Sequence, residues 1–464
     1  MGVNSKYDRK GFFAQSDYRS GPERDRDRIL FSSALHRLAG VSQIVNASDL
    51  SNFHTRYQHT IKVAQVGRRL AEALCAKDED RCMKLDLNAD IVEAACLAHD
   101  LGHPPFGHVG EHTLNDLAQR TSFDPSGQLR VGPIQESGTA FSVTNCFEGN
   151  AQTFRILTKL AVRFPDRGMN LMRATLAACL KYPWLRDGND HKKKGKWGAY
   201  HSEKEQFEFA RELETGEAQT IEAHVMDWAD DIAYSVHDLE EFHRCNFFDW
   251  REIFHPRGRS RIVEAAERRW FNSPADARDR LSRAFDRVES LSLLYPRVFC
   301  ERYTGSRWQR YELRNLNSLL VSRYIEGAYL VDTSDSPTGM LVPDNHQEEV
   351  LILKELTKQF VLTDASILSQ QRGHKRIISK LYTAMVEDVN AYWIGRDEND
   401  SLEDYRMLNS IVPERLRYLW AFCDNNPVRF ILDCIASLTE AEAMEWHRRL
   451  EGTSSNSILD PIMQ

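Results

Sequence analysis

Residues 96–112 read CLAHDLGHPPFGHVGEH. Four histidines fall within fourteen positions here, the first directly followed by an aspartate, and a glycine and two prolines break the run. That break dictates local shape. Upstream, ADIVEAACLAHDL (89–101) is a mostly apolar helix that must stop at Gly102, with Pro104 and Pro105 just beyond. Before it, QHTIKVAQVGRRLAEALCA (58–76) carries apolar residues at 61, 63, 64, 66, 70, 73 and 74, largely a one-face helical pattern. Two helices, a sharp bend and a new helix near 108 follow from these residues alone.

The same periodicity runs through most of the chain. It predicts helices over 23–38, 148–163, 167–181, 218–243, 276–290, 312–329, 347–360, 374–394, 413–423 and 427–450. Strand signals are few: 129–132, 141–144 and VLTDASIL at 361–368. The fold class is mainly α, a helical bundle with few short strands and a helical C-terminal extension. Turn chemistry marks loops at 123–138, 186–205 and 331–347, and a tail from 451. The working division is an N-terminal segment 1–22, a core 23–250, a helical C-terminal region 251–450 completing the site and the oligomer contacts, and a tail 451–464.

At 464 residues, 42% hydrophobic and 28% charged, the chain can bury a large core without a stapling metal or disulfide. Its net charge of −8 argues against a general nucleic-acid coat, while local basic patches stay open. No apolar run is long enough for a membrane span, and residues 1–28 have no apolar stretch of the secretory kind. MGVNSK misses the myristoylation pattern because Lys6 stands where Ser or Thr is required. Nine scattered cysteines without a CxxC read as a reduced, cytoplasmic chain with no zinc ribbon and no disulfide frame.

His99 and Asp100 would point about 100° apart on a regular helix, but at a helix end the turning backbone lets both face one ion. A nitrogen and an oxygen donor suit Mn, Fe, Zn or Ni, with Mg also open. His59 opens the preceding long helix. Downstream, DWADDIAYSVHDLEEF (227–242) sets Asp230, Tyr234 and Asp238 at i, i+4 and i+8 on one stripe. Such a stripe is ordinarily a solvated face. Here a carboxylate near its start would close a set with His59, His99 and Asp100. His108 and Glu111, three apart after the bend, share a face. A carboxylate there would orient the imidazole and favour its charged form.

The order H…HD…D with HDLGHPPFGHVGE resembles the HD superfamily of metal-dependent phosphohydrolases, and within it the deoxynucleoside triphosphate triphosphohydrolases (dGTPase-like proteins). RDRILFSSALHRLAGVSQIV (26–45), HTRYQHTIKVAQVGRRL (54–70), FEGNAQTFRIL (147–157), ADDIAYSVHDLE (229–240), SQQRGHKRIISKLY (369–382) and the helix from 429 are similar to successive family motifs. The resemblance implies His59, His99, Asp100 and Asp230 as ligands of one divalent metal, manganese or magnesium among them, with room for a second Mg on the substrate phosphates. It implies His108 and Glu111 as the catalytic pair, and Arg56 and His103 on phosphate oxygens. Gln43 and Asp238 would reach the sugar 3′-hydroxyl, Tyr234 would pack under a deoxyribose, and Glu148 and Asn150 would support the site. Asp230 is preferred to Asp231 because of the spacing to Tyr234 and Asp238 seen in the related vertebrate SAM-and-HD-domain hydrolase.

Asp231 stands where that vertebrate relative has a lysine, so one phosphate contact must come from elsewhere. Lys196, in a KWG resembling the family's KFG, is one source, and Arg314 and Arg323 are candidates for a later family arginine. The resemblance implies hydrolysis of dNTPs, dGTP by default, to deoxynucleoside and triphosphate. The cations that receive the substrate would be the metal, Arg56, protonated histidines and loop lysines. It also implies a homo-oligomer, tetramer or hexamer, with a dNTP activator at a subunit interface. Other HD phosphohydrolase reactions, on nucleoside monophosphates, cyclic nucleotides or guanosine tetraphosphate, stay open, as does a nucleotide-sensing or single-stranded nucleic-acid-binding role.

Overall fold

The structure, a computed structural model, describes residues 5–10, 17–43, 54–124, 126–132, 146–164, 167–214, 216–270, 275–393, 410–424 and 426–454. These residues are mainly helical, with two small two-stranded antiparallel sheets: 121–123 with 129–131, and 329–330 with 340–341. The helices that frame the site are α1 (Gly21–Leu30), α2 (Arg56–Lys77), α3 (Ala89–Ala98), α4 (Gly107–Arg120), α5 (Gly149–Arg155), α6 (Ile221–Arg244), α7 (Asp344–Phe360), α8 (Ala365–Trp393), α9 (Pro427–Ala436) and α10 (Glu440–Leu450).

Helix α2 starts where it does because Thr55 and Gln58 form a reciprocal capping box. Its stripe of Val63, Val66, Leu70 and Leu74 enters a core shared with Ile91 and Leu97 of α3 and Val225, Ala229 and Ile232 of α6. α1 packs on α3, and α7 on α6. A second core joins Leu114 and Leu117 of α4 to Tyr382 and Met385 of α8, Phe430 and Ile431 of α9, and Trp446 of α10. The stretch 99–106 carries the chain from the first core to the second. Arg37 clamps this crossing, donating to the carbonyls of Leu101 (2.8 Å), His103 (2.7 Å) and Leu438 (3.0 Å).

Two glycines make the crossing feasible. A Cβ on Gly102 would lie 2.1 Å from the carbonyl oxygen of Gly149, so α5 can approach the bend only because that position is bare. Gly107 has φ +54 and its missing Cβ leaves room for the Arg56 guanidinium, 2.9 Å from where that atom would stand. Phe106 adopts φ +66, stacks on His374 at 4.1 Å, and donates its N–H to Glu440 at 3.1 Å.

Several expectations are corrected. The segment 23–38 breaks at Phe31–Ser32, where Ser32 caps a new short helix. The helix expected over 167–181 shrinks to Arg173–Ala178. α5 gives way to a π-helical turn, Ile156–Leu160. The strand expected over 361–368 is a turn followed by α8: Asp364 accepts from the N–H of Ser366 at 2.9 Å and starts a helix. The range 427–450 splits because Thr439 caps α10. The strand expected at 141–144 lies outside the described residues. Cys75 and Cys82 form a disulfide, against the fully reduced reading. The chain reverses at Asp78 and brings their Cα atoms to 5.0 Å. No described helix is long and apolar enough to cross a membrane.

Candidate active site and metal centre

His59 lies one turn into α2, His99 and Asp100 stand at the end of α3, and Asp230 is in the middle of α6. Packing of these three helices in one core brings the four side chains together. His59 Nε2 is 3.2 Å from Asp230 Oδ1, and His99 Nε2 is 3.7 Å from the same oxygen and 3.5 Å from Asp100 Oδ2. An ion bound at about 2.1 Å by such donors separates neighbouring ligand atoms by about 3.0–3.4 Å. His99 Nδ1 lies 2.6 Å from the Cys96 carbonyl, which accepts its N–H and leaves the Nε2 lone pair facing the cluster. That Nε2 is buried without a hydrogen-bond partner. His59, His99 and Asp100 bring donor atoms within 4.8 Å of one another and Asp230 borders both histidines, a donor chemistry that suits a divalent cation.

Electrostatics agree. Burial would raise the Asp100 carboxyl, yet the Arg56 guanidinium, 2.5 Å away, and the nearby imidazoles hold it well below its ordinary range. Burial likewise opposes ionisation of Asp230, and the Lys181 ammonium and His59 outweigh it. Both carboxylates are thus poised as anionic ligands. His103 lies 3.0 Å from Asp100 through Nδ1, but burial and Arg56 push its pKa down to about 4. That direction favours the neutral imidazole.

His108 and Glu111 sit in the first turns of α4, Nδ1 to Oε2 at 2.9 Å. The imidazole is 62% exposed and the carboxylate 4%. A buried carboxylate thus holds one nitrogen of an open ring. Burial opposes the charge on Glu111, but His108 and Lys196 overcome it and hold the carboxyl well below its usual range. Lys196 Nζ bridges Glu111 and Glu148 at 2.9 Å each. Glu148 caps α5 and takes the Asn150 amide at 2.7 Å. Lys196, Glu148 and Asn150 thus form one network with the His108 pair.

Tyr234 and Asp238 follow Asp230 along α6 as expected. Asp238 has a buried oxygen without a partner, and so does Gln43, two residues after Val41, whose carbonyl accepts the Arg56 N–H. Gln43 and Asp238 share no hydrogen bond. Burial pushes the Asp238 carboxyl up to about 8, so it keeps its proton near neutrality. A raised carboxyl stabilises the fold fully below its unfolded value of 3.8, and that contribution is lost as pH rises to about 8. In chelator, Asp238→Asn should therefore melt progressively higher than the parent as pH goes from 4 to 8, with a constant gap above. A gap that does not change with pH would contradict a protonated Asp238.

With this geometry in view, comparisons place the chain. The HD domain family matches residues 56–141. A deoxyguanosinetriphosphate triphosphohydrolase-like protein of Bifidobacterium longum is 32% identical over 93% of this chain and 83% of its own length. One of Streptomyces coelicolor is 33% identical over 94% and 93%. The chain belongs to the deoxyguanosinetriphosphate triphosphohydrolase-like family. A more distant member from Vibrio parahaemolyticus is 26% identical over 96% of both chains.

Two residues of the candidate site escaped the sequence reading. Lys181 Nζ lies 2.7 Å from Asp227 and 3.0 Å from Asp230, a buried cation on the back of a candidate metal ligand. Lys354, from α7, pairs with Asp231 and lies 5.9 Å above the Tyr234 ring. It lines a cleft of about 350 Å³ with Asp227, Asp231 and Arg269. The candidates Arg314 and Arg323 do not join the cluster: Arg314 is exposed, and Arg323 binds Glu349 at 3.2 Å.

Proposed function

We propose that the protein hydrolyses deoxynucleoside triphosphates to deoxynucleoside and inorganic triphosphate, with dGTP as the default substrate from the name its relatives carry. The observation that supports this best is the juxtaposition of a His–His–Asp–Asp donor set with an exposed imidazole held by a buried carboxylate. A divalent cation, when bound, would neutralise charge on the phosphoryl oxygens and acidify water there. Water oxygen bonds to the α-phosphorus, the bond from that phosphorus to the 5′-oxygen breaks, and the electron pair leaves on the 5′-oxygen. His108 gives that oxygen a proton through Nε2, while Glu111 holds the ring.

The protein carries net charge −8, so a polyanionic substrate needs local cations. Arg56, Lys181, Lys196 and Lys354 each rest on a carboxylate of this site. A triphosphate competes for the same guanidinium and ammonium groups. His103 serves as a neutral hydrogen-bond donor. Tyr234 supports the deoxyribose, leaving no room for a 2′-hydroxyl, and protonated Asp238 with Gln43 meets the 3′-hydroxyl. Lys354→Met should raise KM for the dNTP about tenfold with kcat little changed, the mark of a binding contact. An unaltered KM would remove Lys354 from the substrate.

Assembly belongs to the same reading. Exposed Leu293, Leu294, Trp308 and Tyr311 supply apolar surface that a homo-oligomer would cover, with a dNTP activator between subunits. The test is product analysis by ion exchange: each dNTP and GTP, singly and mixed, with Mg or Mn restored. Triphosphate plus deoxynucleoside is the expected result, and faster turnover in mixtures would report the activator. Orthophosphate or pyrophosphate instead would reassign the reaction within the HD superfamily. Salt-sensitive nucleic-acid binding with no turnover would replace the enzyme by a binding protein.

A further inference from the structure

A separate cavity of about 300 Å³ is walled by Arg429, Arg186, Trp197, Tyr200, His201 and Asn426. None of these has a part in the chemistry above. Arg429 is 4% exposed. Its Nη2 donates to the Cys146 carbonyl at 2.9 Å, and its guanidinium lies 3.8 Å over the Tyr200 ring. Its Nη1 is buried with no hydrogen-bond partner, and among the described residues no carboxylate forms an ion pair with it. Asp433, one turn further along α9, is taken by Arg155 at 2.7 Å and Gln152 at 2.9 Å. Asp433 still attracts the Arg429 charge but gives Nη1 no hydrogen bond, and a buried guanidinium nitrogen left unpaired is unfavourable, so this position favours an anion with an acceptor oxygen.

The surroundings have the same polarity. α9 begins at this wall with Asn426 as its cap, so the positive end of the helix dipole lies here. A second buried guanidinium, Arg186, sits 5.4 Å over the Trp197 ring. The Trp197 indole N–H is buried and also lacks an acceptor. Among the described residues the one acidic side chain on the wall, Asp424, is exposed and faces Lys159 at 3.4 Å.

We infer that this cavity is a binding site for a phosphate-type oxyanion, distinct from the catalytic cluster and wired to it. The wiring is short. Tyr200 Oη accepts from the Glu148 N–H and donates to the Glu148 carbonyl, both at 3.2 Å. Glu148 holds Lys196, which holds Glu111, which holds His108. Trp197 directly follows Lys196. An anion on Arg429 therefore presses on residues that set the His108–Glu111 pair. The binding claim stands apart from the proposed reaction; the effect on turnover rests on it.

The test uses the full chain in chelator, titrated with inorganic phosphate and followed by calorimetry and tryptophan fluorescence. Lys196→Met, which removes a catalytic-cluster cation, should keep the binding. Arg429→Gln should weaken it by about tenfold or more, and Arg429→Lys should retain part of it. If Arg429→Gln fails to fold, Trp197→Phe, lacking the indole donor, should show a weakening of a few fold. Unchanged affinity in both Arg429→Lys and Trp197→Phe overturns the site, as does loss in Lys196→Met with retention in Arg429→Gln. So does the absence of binding up to about 10 mM phosphate. Tripolyphosphate and a deoxynucleoside monophosphate, run beside phosphate on Lys196→Met, identify the source: the tightest binder names it, and any ranking that depends on Arg429 supports the site.

Discussion

Replacing His99 with alanine should strip the protein of its divalent cation and lower triphosphate release by about 1000-fold or more, roughly 4 kcal/mol of barrier. The reason is geometric. His99 Nε2 is the donor that sees both Asp100 and Asp230, at 3.5 and 3.7 Å, while its other nitrogen is fixed by the Cys96 carbonyl. Without it, two carboxylates and one imidazole remain of the four candidate donors, and both acids already lean on cations, Arg56 and Lys181. The check is metal content after dialysis against trace Mn, alongside product release. Asp227→Asn is the comparison, since Asp227 touches Lys181 but neither histidine. Full metal stoichiometry in His99→Ala, with only turnover lost, would move the ion elsewhere.

The two halves of this site were legible to different degrees. The helices carrying His59, His99 and Asp230 announce themselves by apolar stripes, and the bend at Gly102–Pro105 is written in residues that permit nothing else. The His108–Glu111 contact follows from i, i+3 spacing once a helix starts at Gly107. Lys181 and Lys354 left no such mark. Lys181 lies within a range read as continuous helix, three residues beyond the short helix that the chain forms, and Lys354 meets Asp231 from 123 positions away. An ion pair between distant segments has no period, so only packing of α7 on α6 reveals it. The misread strand at 361–368 shows the converse. Val361, Leu362 and Ile367 favour a strand locally, but an aspartate cap and the apolar face of α8 buried on α4 decide for helix. The disulfide was hidden for the same reason as Lys354: spacing seven looks like nothing until the reversal at Asp78 is known.

His108→Ala should reduce turnover by about 100- to 10,000-fold while metal content stays at the parent level. The separation of the two readouts is the point. His108 is 62% exposed and is not one of the four candidate metal donors, so its loss should cost proton delivery to the leaving 5′-oxygen and leave the ion in place. Glu111→Gln should cost less, since the amide keeps the shape but loses the charge that orients the ring. Its pH dependence is decisive. Glu111 is held well below its unfolded value of 4.5 despite its burial, by His108 and Lys196. Its contribution is therefore present above that value and is lost only as pH falls through the depressed one. Between pH 7 and 5 the carboxylate stays charged, so any acid limb of the rate profile in that window belongs to another group and should survive in Glu111→Gln. If the substitution abolishes that limb, the carboxylate itself titrates during turnover, and the roles of the two residues must be exchanged: Glu111 as the proton carrier, His108 as the group that binds.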